Sequence, residues 1–223
     1  SPDGTLIATA GADNKAKLWR LKRNADGMSL NLLHTLKRHT ATVHAVAFSP
    51  DGRTLATAGY DGKVGLFDVE SGESRMFNSA TVGQGLAAEF STDGKQVMTV
   101  NRDDQIIRFW DIDSDLKEPA LELPKMMDLP MWATLRPDSR QIAAVGREHV
   151  IKLYDLDPNT GLSTGTHRTL VGHEQTVFRA IYSPDGSQLA TVSADMTLRL
   201  WDLTANKALF TLQLPTEFHR PSP

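Results

Sequence analysis

Ser1-Pro2-Asp3-Gly4 recurs along this chain as Ser49-Pro50-Asp51-Gly52, Ser91-Thr92-Asp93-Gly94, Arg136-Pro137-Asp138-Ser139 and Ser183-Pro184-Asp185-Gly186. A second marker keeps step with the first: Leu18-Trp19-Arg20, Leu66-Phe67-Asp68, Phe109-Trp110-Asp111, Leu153-Tyr154-Asp155 and Leu200-Trp201-Asp202. Two markers in phase, at a period of about 45 residues, define an array of small units that cannot bury a core alone and must stack on their neighbours. The repeats run approximately over 1–36, 37–77, 78–123, 124–171 and 172–214, and together are expected to form part of a single domain over 1–223.

Within a repeat, short β-branched and aromatic runs such as Val43 to Phe48, Thr54 to Thr57 and Lys63 to Asp68 are separated by Pro, Asp and Gly. Proline presets φ at the second position of a turn and glycine accepts positive φ, so Pro-Asp-Gly reverses the chain between adjacent strands. No stretch has helical periodicity. The longer connectors, around Lys22 to Met28, Ser114 to Pro119 and Pro158 to Thr166, are polar or rich in Gly and Pro and predict surface loops.

A repeat of this length with these markers resembles the WD40-repeat family over nearly the whole chain. The fifth repeat carries Gly172-His173, Ser183-Pro184-Asp185-Gly186, and Asp195 ahead of Trp201-Asp202; the second carries Arg38-His39, Asp61 and Phe67-Asp68, with arginine for the usual glycine and phenylalanine for tryptophan. The third and fourth depart from the pattern: Thr81 and Met126 stand at the histidine position, and Glu148 replaces the turn aspartate. The resemblance implies an all-β propeller of four-stranded antiparallel blades. Each repeat would give the outer strand of one blade and the three inner strands of the next. The chain would then span about five blades, the first lacking its innermost strand, of a ring that usually closes with seven. Flanking sequence is expected, with Pro215 to Pro223 leading toward another blade.

By the same resemblance, His39, Thr57, Asp61 and Phe67, and likewise His173, Thr191, Asp195 and Trp201, form structural tetrads, the first without its indole donor. A His, a hydroxyl and an Asp also suggest a hydrolase triad. The structural role is the stronger reading, because an imidazole bridging a carboxylate and a hydroxyl satisfies three groups that are costly to bury unpaired. No nucleophile elbow accompanies them.

Other motifs fail on context. Gly83-Gln84-Gly85-Leu86-Ala87-Ala88 has dinucleotide-loop spacing but no following helix, and Leu86 to Phe90 reads as an innermost strand. Asp111-Ile112-Asp113-Ser114-Asp115 with Glu122 has calcium-loop spacing, but Leu116 occupies the glycine position and Pro119 intrudes. No HExxH pair supports zinc, and no cofactor is expected. A net charge of -3 argues against nucleic acid as a partner. No apolar run is long enough to span a bilayer, so no membrane role is expected, and the lack of cysteine favours a cytoplasmic setting.

What remains are positions the repeat does not need for folding. In the family, residues on the central face lie early in the innermost strand and just before the turn aspartate. Carried over, these are Thr42, His44 and Tyr60; Gln84, Leu86 and Asp103; Met131 and Arg147; and Thr176 and Phe178. Aromatic, aliphatic and arginine side chains together make a protein-binding composition, although Leu86, Met131 and Phe178 also suit packing between blades. The expected function is a non-catalytic scaffold or recognition module that binds a protein or peptide on that face, as part of a larger protein. Two alternatives are the sensor of a signalling protein with an N-terminal effector, and a propeller enzyme using His44, Asp103 and Arg147 in the central channel.

Overall fold

The computed structural model describes residues 1–24, 27–78, 83–123, 129–157 and 163–215. Among these every regular element is a β-strand, and the sheets are the antiparallel blades of a β-propeller. The chain forms two compact units, Ser1–Met126 and Met127–Pro223.

The first unit holds three blades. The first is three-stranded: β1 (Leu6–Ala10), β2 (Ala16–Asn24) and β3 (Gly27–Leu36). The second contains β4 (Val43–Phe48), β5 (Thr54–Gly59), β6 (Lys63–Asp68) and β7 (Ser74–Asn78), and the third β8 (Gly85–Phe90), β9 (Gln96–Asn101), β10 (Ile107–Asp111) and β11 (Leu121–Leu123). The second unit holds a fourth blade of β12 (Pro130–Leu135), β13 (Gln141–Gly146), β14 (Ile151–Leu156) and β15 (Ser163–Leu170), and a fifth of β16 (Val177–Tyr182), β17 (Gln188–Ser193), β18 (Thr197–Asp202) and β19 (Lys207–Gln213). First strands of successive blades touch, β1 with β4 and β4 with β8 in one unit, β12 with β16 in the other.

The repeated Ser-Pro-Asp-Gly closes the turn between the first two strands of a blade. In the second blade Ser49 Oγ donates to Asp51 (2.6 Å), whose carboxylate also accepts the Arg53 N–H (3.0 Å), while Gly52 takes a φ of 72°. The serine bond, then the backbone bond, hold the Asp51 carboxyl below its ordinary pKa. Ser91 with Asp93 and Ser183 with Asp185 repeat the arrangement. Where arginine replaces serine, Arg136 grips Asp138 through two bonds (2.8 and 2.6 Å).

Alternating side chains of neighbouring sheets interleave as the core. Leu36 and Ala16 pack on Val43, Leu55 and Phe67 between the first two blades. Val145, Ile151 and Leu153 pack on Val177, Leu189 and Trp201 between the fourth and fifth. Each fully buried large side chain contributes about 2 kcal/mol of transfer free energy.

Two predicted loops differ. Lys22 to Met28 is the end of a hairpin: β2 continues to Asn24, β3 begins at Gly27, and Leu21 faces Leu30 while Arg23 faces Met28. The Leu21–Leu30 pair leads into the ladder, which backbone pairing continues to Asn24 and Gly27 despite the polar composition. Pro158 to Thr166 likewise gives way to β15 from Ser163, which pairs with Leu156.

Candidate functional site

The site begins with an irregularity shared by four first strands. Their pairing with the second strand shifts register between Val43 and Ala45, between Gly85 and Ala87, between Pro130 and Trp132, and between Val177 and Arg179. The residues skipped are His44, Leu86, Met131 and Phe178. A bulge leaves one residue unpaired and breaks the two-residue alternation of side chains along its strand.

Beside each bulge, a backbone bond joins the first strand to the turn that follows the second. The N–H of Tyr60 donates to Thr42 O (2.9 Å), Arg102 to Gln84 O (2.9 Å), Arg147 to Leu129 O (3.4 Å) and Ala194 to Thr176 O (2.8 Å). The residue after the turn acid is left-handed in every blade, with φ of 64° at Asn14, 71° at Gly62, 63° at Gln105, 65° at His149 and 62° at Met196. These turns therefore superpose in kind, and Tyr60, Arg102, Arg147 and Ala194 are equivalent. Arg102 is not among the residues expected on this face, where the third repeat is expected to contribute Asp103. The turn of the third repeat is one residue longer, visible as the wider spacing from Asp93 to Asp104 than from Asp51 to Asp61.

In the first unit these residues form one connected patch. His44 and Tyr60 stack with centroids 5.1 Å apart and planes 19° apart. His44 Nδ1–H donates to Leu86 O (2.9 Å); the carbonyl can only accept, so the proton sits on Nδ1. Arg102 donates to the Gln84 side chain (3.3 Å), and exposed Asp103 accepts the Gln84 N–H (3.2 Å). Leu86 offers only its carbonyl. Its side chain is 1% exposed, so this bulge presents backbone rather than a side chain. In the second unit Arg147 is exposed, Met131 and Thr176 are half-buried, and Phe178 is 45% exposed. There Arg179 lies 3.7 Å over the Trp132 ring, a cation–π contact formed by the residues that follow two bulges.

The histidine clusters lie deeper. In the fifth blade His173 Nδ1–H donates to Asp195 (2.8 Å), His173 Nε2 accepts from Thr191 Oγ1 (2.7 Å), and the Trp201 indole N–H donates to the same hydroxyl (2.9 Å). In the second blade His39 meets Asp61 (2.9 Å) and Thr57 (2.7 Å), while Phe67 packs without donating. Burial pushes Asp61 and Asp195 up, but their hydrogen bonds outweigh it and hold both below the ordinary carboxylate range. Burial dominates for His173, lowering its pKa against the pull of Asp195.

Thr81 and Met126 lie outside the described residues. In their blades the turn acid is met by a cation four residues on: Arg108 Nη1 lies 2.7 Å from Asp104 and Lys152 Nζ 2.6 Å from Glu148. Acid-x-x-x-base in a repeat without its histidine was the available sequence signal. Thr99 and Trp110 keep the hydroxyl–indole bond (2.9 Å). The calcium-like spacing does not converge: Asp111 accepts the Asp113 N–H (3.0 Å), whereas Glu122 pairs with Arg108 (2.6 Å). Gly85 opens β8 with no helix after it. Among the described residues no group of three His, Asp or Glu side chains could hold a metal ion.

The family model for the WD domain, G-beta repeat, matches residues 1–20, 30–68 and 165–202. No curated protein gives a significant match.

Proposed function

Because the chain belongs to the WD40-repeat family, we propose that it acts without catalysis, as a cytoplasmic scaffold or recognition module that binds a protein or peptide through the bulged ends of its blades. Propellers of this family are typically protein-interaction scaffolds. The observation that carries the reading is the His44–Tyr60 stack on the second blade. It uses two half-buried aromatic rings at a bulge, where neither is required by the apolar core around Leu55 and Phe67. Rigid, partly exposed aromatic and arginine side chains are the usual anchors of protein interfaces. Tyr60 and Arg102 in the first unit, and Arg147 and Phe178 in the second, supply that chemistry.

Affinity capture from source lysate, with wild type against Tyr60→Ala and Arg147→Ala, tests the reading. Each substitution is expected to weaken a docked partner about tenfold while changing folding stability by less than about 0.5 kcal/mol. Equal recovery of the same partners by wild type and both variants would remove these blade ends from consideration. Turnover of a small molecule, more sensitive to His44 and Asp103 than to Tyr60, would replace the binding reading with an enzymatic one.

A further inference from the structure

The first blade has an outer hairpin unlike the others. Its strands run nine and ten residues, against five or six for the third strands and three to eight for the outer strands of the other blades. Beyond β1, whose Leu6 pairs with Arg20, Thr5 O still accepts the Leu21 N–H (2.8 Å), and from Lys22 the hairpin continues as two strands alone among the described residues. One face carries Leu21 opposite Leu30 and Arg23 opposite Met28; the other carries Lys22 opposite Ser29. Met28 is 73% and Leu30 49% exposed.

The free edge of this hairpin is β3, Gly-Met-Ser-Leu-Asn-Leu-Leu-His-Thr-Leu, with no charged residue and no proline. Folded proteins normally blunt such edges with charge, proline or short length. Here the other outer strands each contain a charge: Arg75 in β7, Glu122 in β11, Arg168 in β15 and Lys207 in β19. Toward its end β3 is covered by the second blade, where His34 Nε2 meets Glu70 O (3.1 Å). Gly27 to Leu32 is exposed, and its backbone bonds only to β2 among the described residues.

Charge selects the occupant. Arg20, Lys22 and Arg23 on β2 are exposed and have no ion-pair partner among the described residues, and neither hairpin strand holds an acid. A strand added to β3 would run about 10 Å from β2, within reach of long basic side chains and about one Debye length away. Two copies paired edge to edge would instead bring two basic hairpins together. We infer that Gly27 to Leu32 is a strand-accepting edge for an extended segment of a partner protein, with apolar residues at alternate positions to meet Met28 and Leu30 and with acidic residues to meet Arg20, Lys22 and Arg23. Main-chain pairing supplies affinity in this mode, and the alternating side chains supply selectivity.

The test is selection from a phage-displayed random dodecapeptide library on the full 223-residue chain. Enriched peptides should alternate apolar residues and carry Asp or Glu, and should bind at least about tenfold more weakly to Leu30→Asp and to Lys22→Glu/Arg23→Glu. Tyr60→Ala should bind them unchanged, which separates this edge from the face proposed above. All three changes are at exposed or half-exposed positions, and matched circular dichroism melts verify folding. No enrichment, or enrichment insensitive to Leu30→Asp, overturns the inference. Sensitivity to Leu30→Asp alone overturns the acidic assignment. A dimer in sedimentation that Leu30→Asp abolishes makes a second copy the occupant. Binding to phosphatidylserine vesicles, lost in both variants and without peptide enrichment, makes it a lipid surface; either result overturns the proposal.

Discussion

In the fifth blade the acid of the turn, Asp195, meets a neutral imidazole that passes the connection on to Thr191 and Trp201. In the third blade the equivalent acid, Asp104, meets the guanidinium of Arg108, which also holds Glu122 on the outer strand. A hydroxyl–indole bond persists in both settings, Thr99 with Trp110 in the third blade and Thr191 with Trp201 in the fifth. The turn acid is thus met either by a histidine from the preceding loop or by a cation from the third strand. The two differ in what they tolerate. Cutting a neutral relay removes its two hydrogen bonds without leaving an unpaired cation, whereas removing a buried cation leaves charges without a partner.

The largest effect should therefore come from the third blade. Arg108→Leu leaves Asp104 facing an apolar side chain in a cluster where, among the described residues, Asn101 Nδ2, Asp104 Oδ2 and Arg108 Nη1 are buried without a hydrogen-bond partner and the last two are held by their ion pair alone. A loss of about 3 kcal/mol is expected, at the low end for a broken buried pair because Glu122 is half-exposed and can turn to water. His173→Ala should cost less, about 2 kcal/mol, since Asp195 keeps its Glu174 and Thr197 donors, Thr191 keeps the Trp201 indole, and no unpaired cation is created. Chemical denaturation of the three proteins gives the ranking. If His173→Ala proves the more damaging, the third blade is not held by its ions.

The turns and the aromatic-Asp strands were legible because each is written locally, in Pro-Asp-Gly or in a single Trp-Asp. Neither the bulges nor Arg108 was. A bulge is a relation between two strands, and nothing in Val43-His44-Ala45 marks His44 as the residue the ladder skips. Leu86 fits a protein-binding composition, yet only its carbonyl serves the face, a distinction set by the neighbouring blade. Arg108 sits in Ile-Arg-Phe-Trp-Asp, an alternation that reads as an outward-facing strand residue, yet the side chain is 9% exposed. Likewise the polar letters of Lys22 to Met28 hid a hairpin whose register depends on Leu21 and Leu30.

A smaller change converts one tetrad into the other. Trp201→Phe removes the indole donor to Thr191 and leaves the arrangement already present in the second blade, where Phe67 packs beside the His39–Thr57–Asp61 set. The expected loss is about 1 kcal/mol, one hydrogen bond plus slight repacking. A loss of about 3 kcal/mol would mean that the indole's volume, rather than its N–H, is what the fifth blade requires.

The smallest effect distinguishes a neutral imidazole from a cation most directly. Burial lowers the His173 pKa below its ordinary 6.5, so the folded state binds this proton less readily than the unfolded chain does. The contribution of His173 is then fully present above about pH 6.5 and is lost as pH falls through the lower folded value. Asp195 does not oppose this over the same interval: its folded pKa is also lowered, below 3.8, so its own contribution persists until much more acidic conditions. In His173→Ala the imidazole titration is gone. The gap in melting temperature between wild type and His173→Ala should accordingly narrow as pH is lowered from about 7.5 to 5.5. The gap between wild type and Arg108→Leu should hold over that range, because a guanidinium does not titrate there. Parallel scans of the three proteins decide the matter. A His173→Ala gap that widens on acidification would mean that the imidazole is favoured as the cation in the folded state, and the fifth blade would then be held by an ion pair, as the third is.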